Sequence, residues 1–259
     1  MRKKIMSLVL FGIMLISLGV LSGCDKNNKK ESKQITVSIA ASLQKPMEKI
    51  KEEFKKETGV EINYNIGGSG TLKKQISQGA DVDIFFSANT KYANELVKEG
   101  LVNKDNTYNF LTNSLVLIAG KDENKNINSL DDLKNVSKKI AIGEISTVPA
   151  GQYAKQTLDK LKLWDDLKGK FVYAKSVNNV VNYVDSGDAS YGFVYKTDAM
   201  KAKDSKIVYE VPNKYHKKIE YVLCLLKNTK NKEESEKFVD FLKGDKSKKI
   251  FKEYGFGVE

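Results

Sequence analysis

Four short stretches of small or hydroxyl-bearing residues fall where a strand-like pattern gives way to a helical one. They are Ala40-Ala41-Ser42-Leu43, Gly67-Gly68-Ser69-Gly70-Thr71, Val148-Pro149-Ala150-Gly151 and Ser176-Val177-Asn178. Helix N-termini present unpaired N–H groups and a partial positive charge, so they bind anions without a charged side chain. Small residues let an oxyanion come close to the backbone, and Pro149 suits a first-turn position. Alone, each stretch reads as an ordinary helix cap. Four of them in one chain, all near the ends of strand-like runs, point to an anion cleft, because open α/β sheets bind ligands beyond their strand C-termini.

Residues for other chemistries are scarce. The single histidine, His216, sits between polar residues and reads as a surface side chain. A Ser-His-Asp hydrolase would have to use it, and no serine lies in a nucleophile-elbow context. A transition-metal cation needs clustered His, Cys or carboxylate ligands, and His216 and Cys224 do not supply them; no cofactor and no metal cation are expected. No glycine-rich phosphate loop is present. The only arginine is Arg2, near the N-terminus. A carboxylate ligand would call for the arginine fork, whereas a tetrahedral oxyanion held by hydroxyls and backbone N–H groups fits this chain better.

The formal charge of +11 raises nucleic-acid binding. Against it, the lysines alternate with acids, as in Lys49-Ile50-Lys51-Glu52-Glu53-Phe54-Lys55-Lys56-Glu57, the pattern of a solvated helix face. A body without arginine also lacks the usual bidentate reader of phosphate and guanine.

The elements that must position the four stretches follow from periodicity. Strand-like runs are expected at Ile35 to Ala40, Val60 to Asn65, Ile84 to Ser87, Ser114 to Ala119, Ile140 to Ile142, Gly192 to Val194 and Tyr221 to Leu226. Helical spacing marks Leu43 to Thr58, Thr71 to Gln78, Lys91 to Glu99, Ala150 to Leu161, Val177 to Asp185, Lys232 to Leu242 and Ser247 to Tyr254. Gly59 and Gly100 follow two of these as helix stops. Such alternation predicts an α/β chain with a mostly parallel sheet and helices on both faces. Cys224, inside the apolar run Tyr221 to Leu226, reads as a buried small hydrophobe, and no disulfide is expected.

The N-terminus carries an export signal: Arg2, Lys3 and Lys4, then an apolar stretch, then Leu21-Ser22-Gly23-Cys24. That last run resembles the lipobox of bacterial lipoproteins. Residues 1–23 are read as a signal peptide, Cys24 as the lipidated residue and 24–33 as a flexible, lysine-rich tether. Removing 1–23 takes away three positive charges and no negative ones, leaving +8, which favours an anionic membrane surface.

From Ile35 to the end, the chain resembles the molybdate-binding proteins of ABC importers. The resemblance rests on Ile39-Ala40-Ala41-Ser42-Leu43, Gly68-Ser69-Gly70-Thr71-Leu72, Ala80-Asp81-Val82-Asp83-Ile84-Phe85-Phe86-Ser87-Ala88, Val148-Pro149-Ala150-Gly151, Gly192-Phe193-Val194-Tyr195-Lys196-Thr197-Asp198-Ala199 and Tyr254-Gly255-Phe256. It implies a type II periplasmic-binding-protein fold. Lobe one would comprise 34–112 and 220–259, lobe two 113–219, with the ligand cleft between them. It also implies ligand contacts at Ser42, Ser69, Ala150, Val177 and Tyr195: hydroxyls and N–H groups from the serines, backbone N–H from Ala150 and Val177, and the hydroxyl of Tyr195. By the same resemblance the protein would be a monomeric, lipid-anchored, non-enzymatic subunit that captures molybdate or tungstate for permease and ATPase partners, with no nucleic acid involved. Another tetrahedral oxyanion such as sulfate, and an α/β serine hydrolase, stay open as alternatives.

Overall fold

The computed structural model describes residues 33–259. The expected signal peptide and Cys24 lie outside these residues, as does all of the expected tether except Lys33. Strand β1 (Gln34–Ala40) is apolar enough to be buried along most of its length. It leads through a 3-10 turn, Ala41–Leu43, into helix α1 (Gln44–Thr58), which buries Pro46, Met47, Ile50 and Phe54 at helical spacing. Gly59 ends that helix in the left-handed conformation, with φ of 72°. Strand β2 (Glu61–Gly67), helix α2 (Ser69–Ser77), strand β3 (Ile84–Ser87) and helix α3 (Thr90–Lys98) repeat the alternation.

The chain then changes character. Strand β4 (Val102–Asn113) runs almost directly into β5 (Leu115–Gly120). After these come β6 (Ile140–Gly143), α4 (Pro149–Lys160), the short α5 (Trp164–Leu167), β7 (Phe171–Ala174), α6 (Val177–Asp185), β8 (Tyr191–Tyr195), α7 (Lys196–Ala199) and β9 (Ser205–Glu210). Strand β10 (Ile219–Leu226), helices α8 (Lys232–Lys243) and α9 (Asp245–Glu253), and strand β11 (Gly257–Val258) complete the chain.

Among the described residues the strands form two sheets. A six-stranded sheet has the order β11-β4-β10-β3-β1-β2, and a five-stranded sheet has the order β7-β6-β8-β5-β9. Both are mixed, which corrects the expectation of a mostly parallel sheet. β1 lies parallel to β2 and β3, and β6 to β7 and β8, as βαβ crossovers require. β10 is antiparallel to β3 and β4, β11 to β4, and β5 to β8 and β9. The reversal arises where the chain passes from one sheet to the other, at Asn113–Ser114 and again between β9 and β10. Strands β4, β7, β9 and β11 escaped the sequence reading. β4 is largely polar or half-buried and shows no clean alternation, and its place comes from pairing with β10 and β11.

Register sets the level at which each loop leaves its sheet. Ala40 pairs with Gly67, so β1 and β2 end side by side and deliver Ser42 and Ser69 to one edge. Gly143 pairs with Ala174, so β6 and β7 end together ahead of α4 and α6. Asp83 ties the six-stranded sheet to the C-terminal segment. Its carboxylate accepts from the Thr36 N–H at 2.8 Å, from the Thr229 hydroxyl and from the Asn231 side-chain amide at 3.3 Å. An aromatic cluster in which Phe54 meets Phe238 and Phe241 edge-on, at 4.9 and 5.3 Å, packs α1 against α8. Cys224 is fully buried in β10, and burial pushes its thiol up to about 12, in keeping with an unreactive core side chain.

A candidate anion cleft between the two sheets

Each of the five residues singled out from sequence sits at a strand end or in the first turn of a helix. Ser42 lies in the 3-10 turn after β1, nearly buried, with its Oγ 2.9 Å from the Tyr221 hydroxyl. Ser69 opens α2 behind Gly68 and is fully buried; its Oγ accepts the Ala88 N–H at 3.1 Å. Ala150 follows Pro149 in the first turn of α4. Val177 opens α6, where the Ser176 Oγ accepts the Asn179 N–H at 3.2 Å as the N-cap. Tyr195 ends β8, 1% exposed, and its hydroxyl is buried with no hydrogen-bond partner among the described residues.

Direct contacts bring these segments together from the two sheets. The Gly70 N–H donates to the Thr147 carbonyl at 2.8 Å. A Cβ built on Gly68 would lie 3.0 Å from the Thr147 oxygen and 3.2 Å from the Lys175 oxygen, so the Ser69 loop abuts the approaches to both Ala150 and Val177. The Asn178 side-chain amide donates to the Ala41 carbonyl at 3.1 Å, joining the start of α6 to the Ser42 turn. The rings of Tyr195 and Tyr221 lie 5.9 Å apart, which sets Tyr195 beside the partner of Ser42. On one flank Gln152 of α4 accepts from the Asn89 amide at 3.1 Å and donates to the Tyr92 hydroxyl at 2.5 Å, while that hydroxyl donates to the Ser146 carbonyl at 3.1 Å.

The cluster is neutral. N–H groups in the first turns of α2, α4 and α6 have no acceptor within their own helices, and each helix start adds a partial positive charge. Burial holds the Tyr195 and Tyr221 hydroxyls well above the usual tyrosine range, so both stay protonated and able to donate. Beside Ser42 opens a groove of about 840 Å³, lined among others by Lys45, Asn178, Asp198, Lys201 and Tyr254. Ser69, Ala150, Val177 and Tyr195 do not line it, so the groove adjoins the cluster without containing it. Burial pushes the Asp198 carboxyl up to about 7, against the opposing pull of Lys201 and Lys45, and one of its oxygens is buried without a partner among the described residues. Burial also lowers Lys201 to about 8, and its ammonium lies 3.6 Å from the Tyr254 ring centroid.

Sequence reasoning missed Tyr221, Gln152 and Tyr92; it named Asn178 only as part of the turn that opens at Ser176, and position 113 only as the start of lobe two. Tyr221 hid in an apolar run that reads as plain core; its phenol at the mouth of that run was the available signal. His216 is a correction. It is half-buried rather than free on the surface, with Nδ1 2.7 Å from the Lys217 carbonyl oxygen and its ring 5.7 Å from that of Tyr153, and burial lowers its pKa. Packing of residues 213–216 against α4, invisible to local polarity, accounts for this.

Residues 35–257 match the family model described as bacterial extracellular solute-binding protein. The chain is 42% identical over 200 residues to the putative ABC transporter substrate-binding lipoprotein YvgL of Bacillus subtilis, covering 77% of this chain and 76% of that protein. It is 35% identical over 208 residues to the molybdate-binding protein ModA of Escherichia coli, covering 78% and 80%. A solved substrate-binding domain of a putative molybdenum ABC transporter from Clostridium difficile is similar at 40% identity with a TM-score of 0.66, over 87% of this chain and 99% of that one. With a match spanning nearly all of the described body, the chain belongs to the bacterial extracellular solute-binding proteins.

Proposed function

We propose that the protein captures molybdate outside the cytoplasm, with tungstate as a second ligand, and delivers it to the permease and ATPase of an ABC importer. One observation carries the reading: three helix N-termini and three buried hydroxyls converge from two sheets on a cluster with no cationic side chain. Such a site suits a tetrahedral dianion. Hydrogen bonds to charged groups contribute about 1.5–3 kcal/mol each, so a handful of neutral donors holds a dianion once water is excluded. The names of the relatives support molybdate among the possible oxyanions. Ser42, Ser69 and Tyr195 would donate through hydroxyls, and Ala150 and Val177 through backbone N–H groups. The six-stranded sheet and its helices would form one lobe and the five-stranded sheet the other, closing on the ligand. Lipidation of Cys24 would hold the protein at the membrane.

Titration calorimetry of the purified body with molybdate, tungstate, sulfate and phosphate tests the proposal. Molybdate and tungstate are expected to bind tightly and monohydrogen phosphate to be rejected, because its O–H would be buried without an acceptor. Phosphate binding as tight as molybdate binding would sink the assignment, and a preference for sulfate would move it to another oxyanion.

A further inference from the structure

The hydrogen bonds behind Ser42 run in one direction only. The Asn113 side-chain oxygen accepts the Ser114 N–H at 2.9 Å, which fixes the orientation of the amide, since the flipped form would set two donors face to face. Its nitrogen therefore donates, to the Thr197 hydroxyl at 2.9 Å and to the Tyr221 hydroxyl at 3.2 Å. Tyr221 is fully buried, and with its oxygen accepting from Asn113 its hydrogen has one partner among the described residues, the Ser42 Oγ at 2.9 Å. Ser42 thus receives a hydrogen from behind, and its own hydrogen is left without an acceptor among the described residues. Ser69 is arranged alike: its oxygen takes the Ala88 N–H, and its hydrogen is likewise unclaimed among the described residues.

We propose that Asn113 and Tyr221 are positioning residues that set the polarity of Ser42, so that the cleft presents hydrogens only and discriminates against oxyanions that carry a proton. This inference rests on the oxyanion reading given above. A hydroxyl is ordinarily ambivalent, since it can turn to accept as readily as to donate. Donation from behind fills one of its two lone pairs and turns its O–H toward the cleft, and the occupied chain begins at a backbone N–H that cannot reverse.

A double-mutant cycle read by titration calorimetry tests it, at mildly alkaline pH where phosphate is the monohydrogen dianion. Tyr221→Phe deletes the donor to Ser42 and is expected to weaken molybdate binding roughly 2- to 12-fold. In a Ser42→Ala background the same change is expected to cost less than about twofold, because Tyr221 acts through Ser42. Asn113→Asp keeps the Ser114 bond but accepts from Tyr221, reversing the chain. Its charge repels molybdate and monohydrogen phosphate alike as dianions, so a narrowed ratio of their affinities reports polarity rather than charge. That ratio keeps the inference testable if Tyr221→Phe fails to fold in thermal melts. Additive effects of Tyr221→Phe and Ser42→Ala, or an unchanged ratio in Asn113→Asp, would overturn the inference while leaving the oxyanion reading intact. A wild-type protein that binds none of the four anions would overturn both.

Discussion

At the scale of single residues, the three hydroxyls differ in what else they do, and their substitutions should separate accordingly. Ser42→Ala, Ser69→Ala and Tyr195→Phe are each expected to lower molybdate affinity by about 1.5–3 kcal/mol, roughly 10- to 150-fold. Their stabilities should diverge. Ser69→Ala strands the buried Ala88 N–H and is expected to cost about 1–3 kcal/mol. Tyr195→Phe removes a hydroxyl that has no partner among the described residues and should leave the ligand-free melt unchanged or slightly raised. Calorimetry with thermal melts on the same samples checks both, and wild-type affinity in all three variants would move the site elsewhere. Asp198 gives a pH signature. Its folded value of about 7 stands above the ordinary 3.8, so its contribution to stability is complete below the lower value and is lost as pH rises through the higher one. Asp198→Asn should therefore flatten the decline in melting temperature between those values. Lys201, depressed to about 8, acts in the window from there to its ordinary 10.5 and leaves the lower range undisturbed. A parallel decline in wild type and variant would rule Asp198 out.

At the scale of elements, the cleft depends on segments from different sheets coming within hydrogen-bond reach. Gly70 is the tightest such point across the cleft: a Cβ there would lie 2.6 Å from the Tyr92 hydroxyl and 2.7 Å from the Thr147 Cα. Gly70→Ala should force the start of α2 away from the 144–148 turn. Affinity for molybdate and tungstate should fall by the same factor, because the lost closure is common to both ligands and makes no distinction between them. A change in their ratio would argue that Gly70 touches the ligand directly. Gly151 is tight in another way. Its Cβ would come 1.9 Å from the Gly143 carbonyl oxygen, so α4 can seat Ala150 at this height only by lying directly on β6. That closeness explains why small residues recur at the strand-to-helix turns. They bring the helix starts near the sheet ends as well as opening room for an anion.

At the scale of the whole molecule, the proposed anchor and the proposed cleft are separable. Cys24→Ser should shift the protein from the detergent to the aqueous phase in cell extracts while the purified body keeps its anion affinity. Identical aqueous partitioning of both forms would show that Cys24 carries no lipid. The positive charge of the described surface is extensively paired: Lys33 with Glu234 at 2.5 Å, Lys49 with Glu253 at 2.8 Å and Lys155 with Asp159 at 2.6 Å are examples. Exposed pairs of this kind contribute little to stability. They do show why a chain with so many lysines builds a neutral cleft: the charge stays on helix faces, and the cluster at the strand ends contains none.

The sequence determined the helices with sharp periodicity and glycine stops, the buried strand at Ile84–Ser87 and the Tyr221–Leu226 part of β10, and the small-residue turns that carry Ser42, Ser69, Ala150 and Val177. These are local properties, set by side-chain spacing and backbone freedom within a few residues. Only the tertiary structure decided that the strands divide between two mixed sheets and that the polar β4 is a strand at all. It alone placed Tyr221 behind Ser42 and Asn113 behind Tyr221, residues 179 and 108 positions apart along those links. Pairing between distant strands and the direction of a buried hydrogen-bond chain depend on which groups meet in space. A pattern read along the chain carries no information about them.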